Sequence, residues 1–531
     1  MSNVKPTLLD RAIGHFSPQR GLKRYQARMN WNLLSSVKTT AGSSTGPIGN
    51  WLVRFLGRRE EDESRGRGTA RAQDLVNNDP HAASVIDSMS MNIVGTGIKP
   101  QARPKQEALG WSDEETRKFQ RQAEWIFEKW SGYADSRGML SFDELQFLTV
   151  RSLLVSGEYF RVPVMQRGRY RPLSLALQGL SPFRITTPAD HQHDPQVRQG
   201  VWLDSQGRAR RYFAYDPPPN VQPVPGGTGP AGPNGAPDIH FRKFPAWVHP
   251  LRPGMIHGFI QKEEEQIRGS SILTPAMKMF RDLSDYFDYE LVGAIVASSF
   301  PVWIETETPK ETAKVYEEED ESESQEESQY QEVEPGQFMY GNAGERPHLL
   351  KPERPTNTFG EFTEKVLRAQ GASVGMPYEV ISKDFSKTTY SSARAALLEA
   401  DRTFRTYRHH FTQGFLQPTW GMVLEEAWLR GKLELPQSGP DFYEAFDEIT
   451  RCAWIPPRKG HVDPVKETQS EVKGLKEGTL SFAEVLHDKG GDWEEHFQQL
   501  RREQDKAQEL DLNMGRYQGT SSSSSQTGGE Q

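Results

Sequence analysis

Apolar residues recur at intervals of three and four over several long stretches of this chain, separated by shorter runs that alternate and by runs with no period. From Thr69 onward, Ala72, Leu75, Val76, Ala83, Ile86 and Met89 fall at helical intervals. Asp79-Pro80 between them is a stop followed by a restart, so two short helices are expected. Ser112, with Glu115 three residues on, reads as a helix start ahead of Phe119, Ala123, Ile126, Phe127 and Trp130, and a further helix is expected from Phe142 to Leu154. The string GEYFRVPVMQRGRYRPLSLALQGL then alternates on either side of Arg167-Gly168. It predicts a β-hairpin, with strand character continuing at Val201-Trp202 and Tyr212-Phe213.

The longest apolar stripes lie further on. In SSILTPAMKMFRDLSDYFDYELVGAIVASSF, Pro275 suits a helix start, and Phe280, Leu283, Phe287, Leu291 and Ile295 form one stripe. A helix of about 24 residues would be a rod of roughly 36 Å. It should break at Pro301, before a segment, 303–334, that holds thirteen carboxylates and two lysines, and helix should resume near Thr358. Two rods thus flank one acidic insertion. After Gly375-Met376-Pro377 and the polar connection YEVISKDFSKTTYSS comes the longest helical pattern, with Ala393, Leu397, Ala400, Phe404, Tyr407 and Phe411 on a seam and Arg394, Arg402, Arg405 and Arg408 elsewhere on the wheel. A break is expected near Gly414 or Pro418, with Trp420, Leu424 and Trp428 on a second helix that completes a pair.

The segments without a period read differently. Residues 1–30 mix Leu8, Leu9, Ile13 and Phe16 with Arg11, Arg20, Lys23 and Arg24, as a partly helical basic arm would. The Gly/Ser/Thr stretch at 40–48 and RREEDESRGRG at 58–68 read as linkers, DPPPNVQPVPGGTGPAGPNGAP at 216–237 as an exposed loop, and the Ser/Gly/Gln tail after 516 as disordered. The fold class expected is α+β, mainly helical.

Composition narrows the function. At 531 residues and 35% hydrophobic content the chain can bury a sizeable core. A mean hydropathy of -0.72 favours an extended subunit over one compact sphere. A formal charge of -8 argues against a tight, phosphate-neutralising DNA binder: a DNA partner would have to slide. The one cysteine, Cys452, excludes an intrachain disulfide or a multi-thiolate metal site and reads as a small buried residue. No run reaches the roughly 18 apolar residues needed to span a bilayer, and the amino terminus lacks a secretion-signal layout, so no membrane is expected and the cytosol is the expected place of folding.

Few patterns suggest catalysis. Asp190-His191-Gln192-His193-Asp194 alternates imidazoles and carboxylates as a metal cluster on a strand might be built, though Pro188 and Pro195 flank it as they would a surface turn. His409 and His410 are adjacent and face different ways on a helix. The Gly341 to Gly344 string lacks the Lys-Ser/Thr of a phosphate-binding loop, and no GxSxG or nucleophile-plus-base arrangement occurs. No cofactor is expected.

Four strings, in order, resemble the lambda-like group of phage portal proteins: TARAQDLVNNDPHAASVIDSMSMNIVG from Thr69, QIRGSSILTPAMK at 266–278, TTYSSARAALLEADRTF at 388–404, and the stretch from Trp454 to Leu500 with its WIPP turn, Asp-Pro-x-Lys-Glu and Gly-Asp step. The resemblance covers about 1–30 and 69–500, and departs at the Pro/Gly loop and at the Glu/Ser-rich 317–334. It implies a non-enzymatic ring subunit, typically one of twelve, at a unique capsid vertex, and a portal fold. In that fold 1–68 is an arm and linker, 69–269 a wing, 270–300 a first stem helix, 301–355 a clip and 356–375 a second stem helix. The resemblance further places a tunnel loop at 376–392, a long wing helix with its return at 393–460, a crown at 461–515 and a disordered tail at 516–531.

The expected partners are further copies of the chain, sliding double-stranded DNA, the large terminase, the major capsid and scaffold proteins, and head-completion or tail adaptors. The expected location is the virion's portal vertex, after assembly in the host cytoplasm. Tunnel-loop candidates are Lys383, Asp384, Phe385, Lys387 and Thr388, and clip docking candidates are Glu305, Glu307, Glu317, Glu318, Glu319 and Asp320. For the stem lumen they are Lys278, Asp282, Asp285 and Asp288, whose aspartates at i, i+3 and i+6 are either a solvated helix face or, in a ring, stacked acidic belts. Lys383 and Lys387 are either weak phosphate contacts or ordinary surface lysines. The alternative reading is a metal-dependent nuclease or hydrolase of phage DNA, resting on 190–194. A third, a different ring-forming head–tail connector, is opposed by the chain's length.

Overall fold

The computed structural model describes residues 58–216, 240–298, 302–304, 338–340, 359–457, 464–510 and 512. The chain divides into two compact units, 1–64 and 65–531, and the described residues belong almost wholly to the second. The basic arm, the 40–48 stretch, nearly all of the Pro/Gly loop, the acidic insertion and the Ser/Gly/Gln tail lie outside the described residues.

Helices α1 (Arg58–Asn78) and α2 (Pro80–Ile93) meet at Asp79, whose carboxylate caps α2 by accepting from the Ala82 N–H at 2.7 Å. The RREEDESRGRG run, expected to be a linker, is instead the first half of α1. Arg and Glu are good helix formers, and Gly66 and Gly68 cost only about 1 kcal/mol each in a helix. After β1 (Lys99–Ala102), helices α3 (Asp113–Ser131) and α4 (Phe142–Ser156) each open with a complete capping box, Ser112/Glu115 and Ser141/Glu144. Gly157, at φ 82°, turns α4 into the predicted hairpin of β2 (Glu158–Met165) and β3 (Leu175–Leu180).

Strands β4 (Val197–Arg198), β5 (Val201–Leu203), β6 (Ala209–Asp216) and β7 (His240–Pro245) form an antiparallel sheet in that order. Strand β8 (Ile256–Phe259) returns to pair with β2, giving the order β8-β2-β3. Strand β2 is the seam between two cores, because successive side chains leave opposite faces. Tyr159 joins the large helical core with Phe127, Trp130, Phe142, Phe415 and Trp420, whereas Phe160 and Val162 join the smaller core with Ile185, Val201 and Tyr212.

Helix α5 (Met277–Ser298) has 22 residues, close to the expected rod. Beyond it β9 (Val302–Ile304) pairs in parallel with β10 (Phe338–Tyr340), and helix returns as α6 (Phe359–Val374). A short α7 (Tyr378–Ser382) precedes α8 (Tyr390–Phe411) and α9 (Gln417–Leu429). The expected break near Gly414 or Pro418 does not occur: Thr412–Leu416 is a π-helical turn that carries the rod onward. There the Gln417 N–H bonds five residues back to Thr412 O, a register shift that lets a proline sit at the start of α9 with the helix unbroken. Strand β11 (Cys452–Ile455) pairs with β1, and α10 (Pro464–Glu477), α11 (Phe482–Asp488) and α12 (Trp493–Glu509) close the chain.

Candidate channel helices and the ion network behind them

The two rods pack antiparallel. Tyr286 stacks on Phe359 with ring centroids 5.6 Å apart and meets Phe362 edge-on at 5.4 Å, while Phe287 meets Phe359 at 5.4 Å. The predicted stripe on α5 is therefore buried only in part. Phe280 and Leu283 are in the core, but Leu291 and Ile295 are 62% and 53% exposed, and Tyr289 and Val292 are exposed beside them. Glu290, on the same stretch, is buried at 4%, so this part of α5 is covered on one side and exposed on the other.

The candidate lumen residues share the outer side of α5. Lys278 is ion-paired with Asp282, and Arg281, which the sequence reading passed over, reaches Asp285 at 3.0 Å. Two of the three aspartates are thus neutralised one turn away, and Asp288 is exposed. These pairs are solvent-facing and contribute little to stability.

In the candidate tunnel loop, helix occupies part of 376–392, and Met376, Pro377 and 383–389 are irregular. Lys383 caps α7 in the left-handed region, φ 58°, and its ammonium donates to Ser88 Oγ. Asp384 accepts from Ser386, through its hydroxyl and, at 2.9 Å, through its N–H, and these bonds hold its carboxyl below the usual range. Thr388 Oγ1 donates to Phe385 O at 2.8 Å, Phe385 itself is about half exposed, and Lys387 pairs with Glu364 of α6 at 3.1 Å. Thr389 then caps α8. Both lysines have partners within the subunit. The clip candidates Glu305, Glu307, Glu317, Glu318, Glu319 and Asp320 lie outside the described residues.

Behind α5 sits a group that the sequence did not reveal. Arg268, fully buried, grips Glu158 through Nε (2.7 Å) and Nη2 (2.6 Å), and donates also to the carbonyls of Ile185, Gln199 and Pro182. Arg65 of α1 reaches Glu158 Oε1 at 3.0 Å, and His257 Nε2 lies 3.1 Å from Oε2. Burial alone would push the Glu158 carboxyl up, but Arg268, the His257 hydrogen bond and Arg65 outweigh it and the net shift is downward. Burial holds the His257 imidazole below its ordinary range, so at neutral pH it is uncharged; its Nε2–H then donates to Glu158, and Tyr212 Oη approaches Nδ1 at 3.4 Å. The network joins α1, β2, β8 and the segment leading into α5.

Residues 54–408 match the family described as phage portal protein, lambda family. The chain belongs to the lambda family of phage portal proteins. Portal protein B of Escherichia phage lambda and the portal protein of Escherichia phage N15 are each 26% identical to it over 463 residues, covering 82% of this chain and 83% of theirs. A solved structure titled the neck of a native GTA particle computed with C12 symmetry is 13% identical and covers 78% of this chain and 92% of that one. Its TM-score is 0.37, too loose a likeness to argue from. Three of the four strings that carried the resemblance fall within the portal-family match, and the Trp454 to Leu500 string lies beyond it.

In this portal-family chain the 190–194 cluster is a surface turn. Ala189–His191 is a 3-10 turn, His191 packs against Phe213 with ring centroids 5.0 Å apart, and its Nδ1 is 3.7 Å from Asp194. Among the described residues no group of three His, Cys, Asp or Glu is placed to hold a metal ion. Cys452 is partly buried on β11, where burial pushes its thiol well above the ordinary range, consistent with an inert thiol.

Proposed function

We propose that this chain is the ring subunit of a portal at a capsid vertex, through which double-stranded DNA is packaged and later released. The observation that carries the ring is the set of large apolar side chains Tyr289, Leu291 and Val292 that stand exposed near the end of α5 on one subunit. Large apolar side chains exposed together on a helix suit a protein partner, and identical neighbours around a closed ring supply one to every copy. Twelve copies are the number the family implies. In that reading α5 and α6 are stem helices, 383–389 is the part of the tunnel loop free to move, α10 to α12 form the crown, and the segment between β9 and β10 is the clip where terminase, then head-completion proteins, dock. Scaffold and capsid proteins would meet the same ring during assembly.

A conduit must not clamp phosphates, since each neutralised phosphate adds affinity through counterion release. Several basic groups on and beside these helices fit that requirement, while Lys365 of α6 and Arg394 of α8 stand exposed. Lys278, Arg281 and Lys387 are paired with carboxylates; Arg402 and Arg405 of α8 pair with Glu399 and Asp401, and Arg408 donates to the Ile93 and Asn92 carbonyls. The test is the mass and symmetry of the purified protein, by light scattering and negative-stain imaging, beside a Leu291→Glu/Ile295→Glu double variant. Rings with a central hole for the parent chain and monomers for the variant are expected. Rings that survive both substitutions would remove the α5 face from the interface, and a parent chain that stays monomeric across salt and concentration would count against the ring itself.

A further inference from the structure

Arg161 is the most deeply buried cation in the described residues without a carboxylate in ion-pair reach. Its side chain leaves β2 on the face opposite Glu158, and the residue is 4% exposed. Nε donates to Thr149 Oγ1 and Nη1 to Phe160 O, both at 3.1 Å, leaving Nη2 with neither. Directly across the hairpin stands Gly179, and a Cβ there would come within 2.9 Å of Nη1. The glycine keeps the guanidinium open toward a cavity of about 320 Å³, walled by α1, α4, the hairpin and the Ser181 to Phe183 turn.

The charge in that cavity does not balance. Arg137, Arg151 and Arg161 line it against one carboxylate, Asp135. Asp135 already accepts from the Met139 N–H at 3.1 Å and lies 3.9 Å from Arg137, while Arg151 is held outward by Asp87. The Arg161 guanidinium is held down to about 10, because burial lowers it and Tyr159 and Asp135 offset that only in part. Removing a guanidinium from water without a counter-ion is costly, and an oxyanion seated between Arg161 and Arg137 relieves that cost with charge-assisted hydrogen bonds. The amides of Gln73 and Asn77 on the α1 wall are further donors, and Leu148, Val155 and Phe183 offer apolar contact to a carbon skeleton.

We propose that this cavity binds a small oxyanion, inorganic phosphate or the carboxylate of a small organic acid, on the Arg161 guanidinium. Nothing in this inference depends on ring formation. The test is titration calorimetry of the full chain, as purified, with sodium phosphate in one arm and sodium succinate in the other, against chloride at matched ionic strength. Saturable binding is expected in at least one arm, and the arm that saturates names the source. In Gly179→Asp the new carboxylate sits against Arg161 and fills the site from within, so affinity should fall at least tenfold. Gly179→Ala, whose Cβ crowds Nη1 without adding charge, should weaken binding by less than Gly179→Asp does. Arg161→Met should abolish binding if it folds, and Gly179→Asp carries the test if it does not. Saturation in neither arm, or unchanged affinity in a folded Gly179→Asp protein, would overturn the proposal.

Discussion

Arg268 meets Glu158 with a two-point contact, Nε to Oε2 at 2.7 Å and Nη2 to Oε1 at 2.6 Å, with both side chains fully buried. The remaining guanidinium hydrogens are taken by backbone carbonyls, so the pair is satisfied on all sides and ties β2 to the entry of α5. Truncating one member leaves the other charged in the interior. Glu158→Ala is expected to lower stability by about 3–5 kcal/mol, read from urea unfolding. A loss under about 1 kcal/mol would mean that water reaches Arg268 once the carboxylate is gone.

The same network sets how the fold responds to acid. His257 is held neutral when folded, so the unfolded chain takes up its proton first as pH drops below the ordinary histidine value of 6.5, and stability begins to fall there. Glu158 is held deprotonated to lower pH than in the unfolded chain. Its stabilisation is complete above the ordinary value of 4.5 and is lost progressively beneath it. The network's own contribution to stability should therefore decline from about pH 6.5 and more steeply below pH 4.5, and it is read as the difference in melting temperature between the parent and network variants at each pH. In Glu158→Gln the steeper second phase should shrink, and a profile parallel to that of the parent would assign acid sensitivity to other groups.

Gly157 and Gly269 lie back to back where the end of α4 passes the irregular segment before α5. Gly157 has φ 82°, and a Cβ on it would fall 2.2 Å from the Ser270 carbonyl carbon; one on Gly269 would fall 2.0 Å from Gly157 O. At Gly157 only backbone is in the way, so no side chain can swing aside. Gly157→Ala should cost well over 1 kcal/mol, combining left-handed strain with the clash. Gly478→Ala, at φ 70° with open space around it, carries the strain without the clash and should cost less; equal losses would show that the backbone yields.

What was legible in the sequence follows from range. Helix starts announced by local chemistry, Asp79-Pro80 and Ser112/Glu115, stand where the residues said, because a cap is satisfied within three positions. The hairpin about Arg167-Gly168 is local in the same sense. The π-turn at Thr412–Leu416 was not legible: Gly414 and Pro418 read as a break, and the rod's continuity depends on a register shift. The linker reading of 58–68 failed because charge density looked like solvation, whereas Arg65 is needed 93 positions away on Glu158. Among the candidate site residues, the aspartate face of α5 was visible, but its pairing to Lys278 and Arg281 was only half read. Arg268 stood inside the QIRGSS string, with no signal that its partner lay 110 positions earlier.

Gln370 of α6 is fully buried, and neither its amide oxygen nor its nitrogen has a hydrogen-bond partner. Its surroundings are Leu367 and Val374 on its own helix, both in the helical core. An unpaired amide in such a place costs about 1–3 kcal/mol, and a methionine of similar length carries no such penalty. Gln370→Met should raise stability by about 1 kcal/mol in the dissociated subunit. Destabilisation instead would show that the amide is satisfied by something bound there, such as an ordered water or a neighbouring copy.

Glu124 on α3 carries the opposite proton linkage from Glu158. Its carboxylate accepts from the Ala102 N–H at 2.7 Å, but burial, with Asp492, Glu495 and Glu494 of the first turn of α12 nearby, lifts it to about 7. The acidic residues suit the start of α12, where Asp492 caps the helix and is bonded by Gln101 of β1. Glu124 therefore stays protonated in the folded state up to near neutrality, whereas the unfolded chain releases that proton near 4.5. The Glu124 contribution to stability should fall as pH rises from about 4.5 to 7 and level off above, by on the order of 1–3 kcal/mol given the residue's partial exposure, a trend opposed to that of the His257 and Glu158 network and separated from it by comparison with the variant. Glu124→Gln keeps the acceptor for Ala102 and removes the charge. It should match the parent at pH 4.5 and exceed it at pH 8, and amide exchange over 464–509 should slow at pH 8 in the variant if the contact with α12 is what the charge loosens. Parallel stability profiles from pH 4.5 to 8 would place the neutral-pH sensitivity elsewhere.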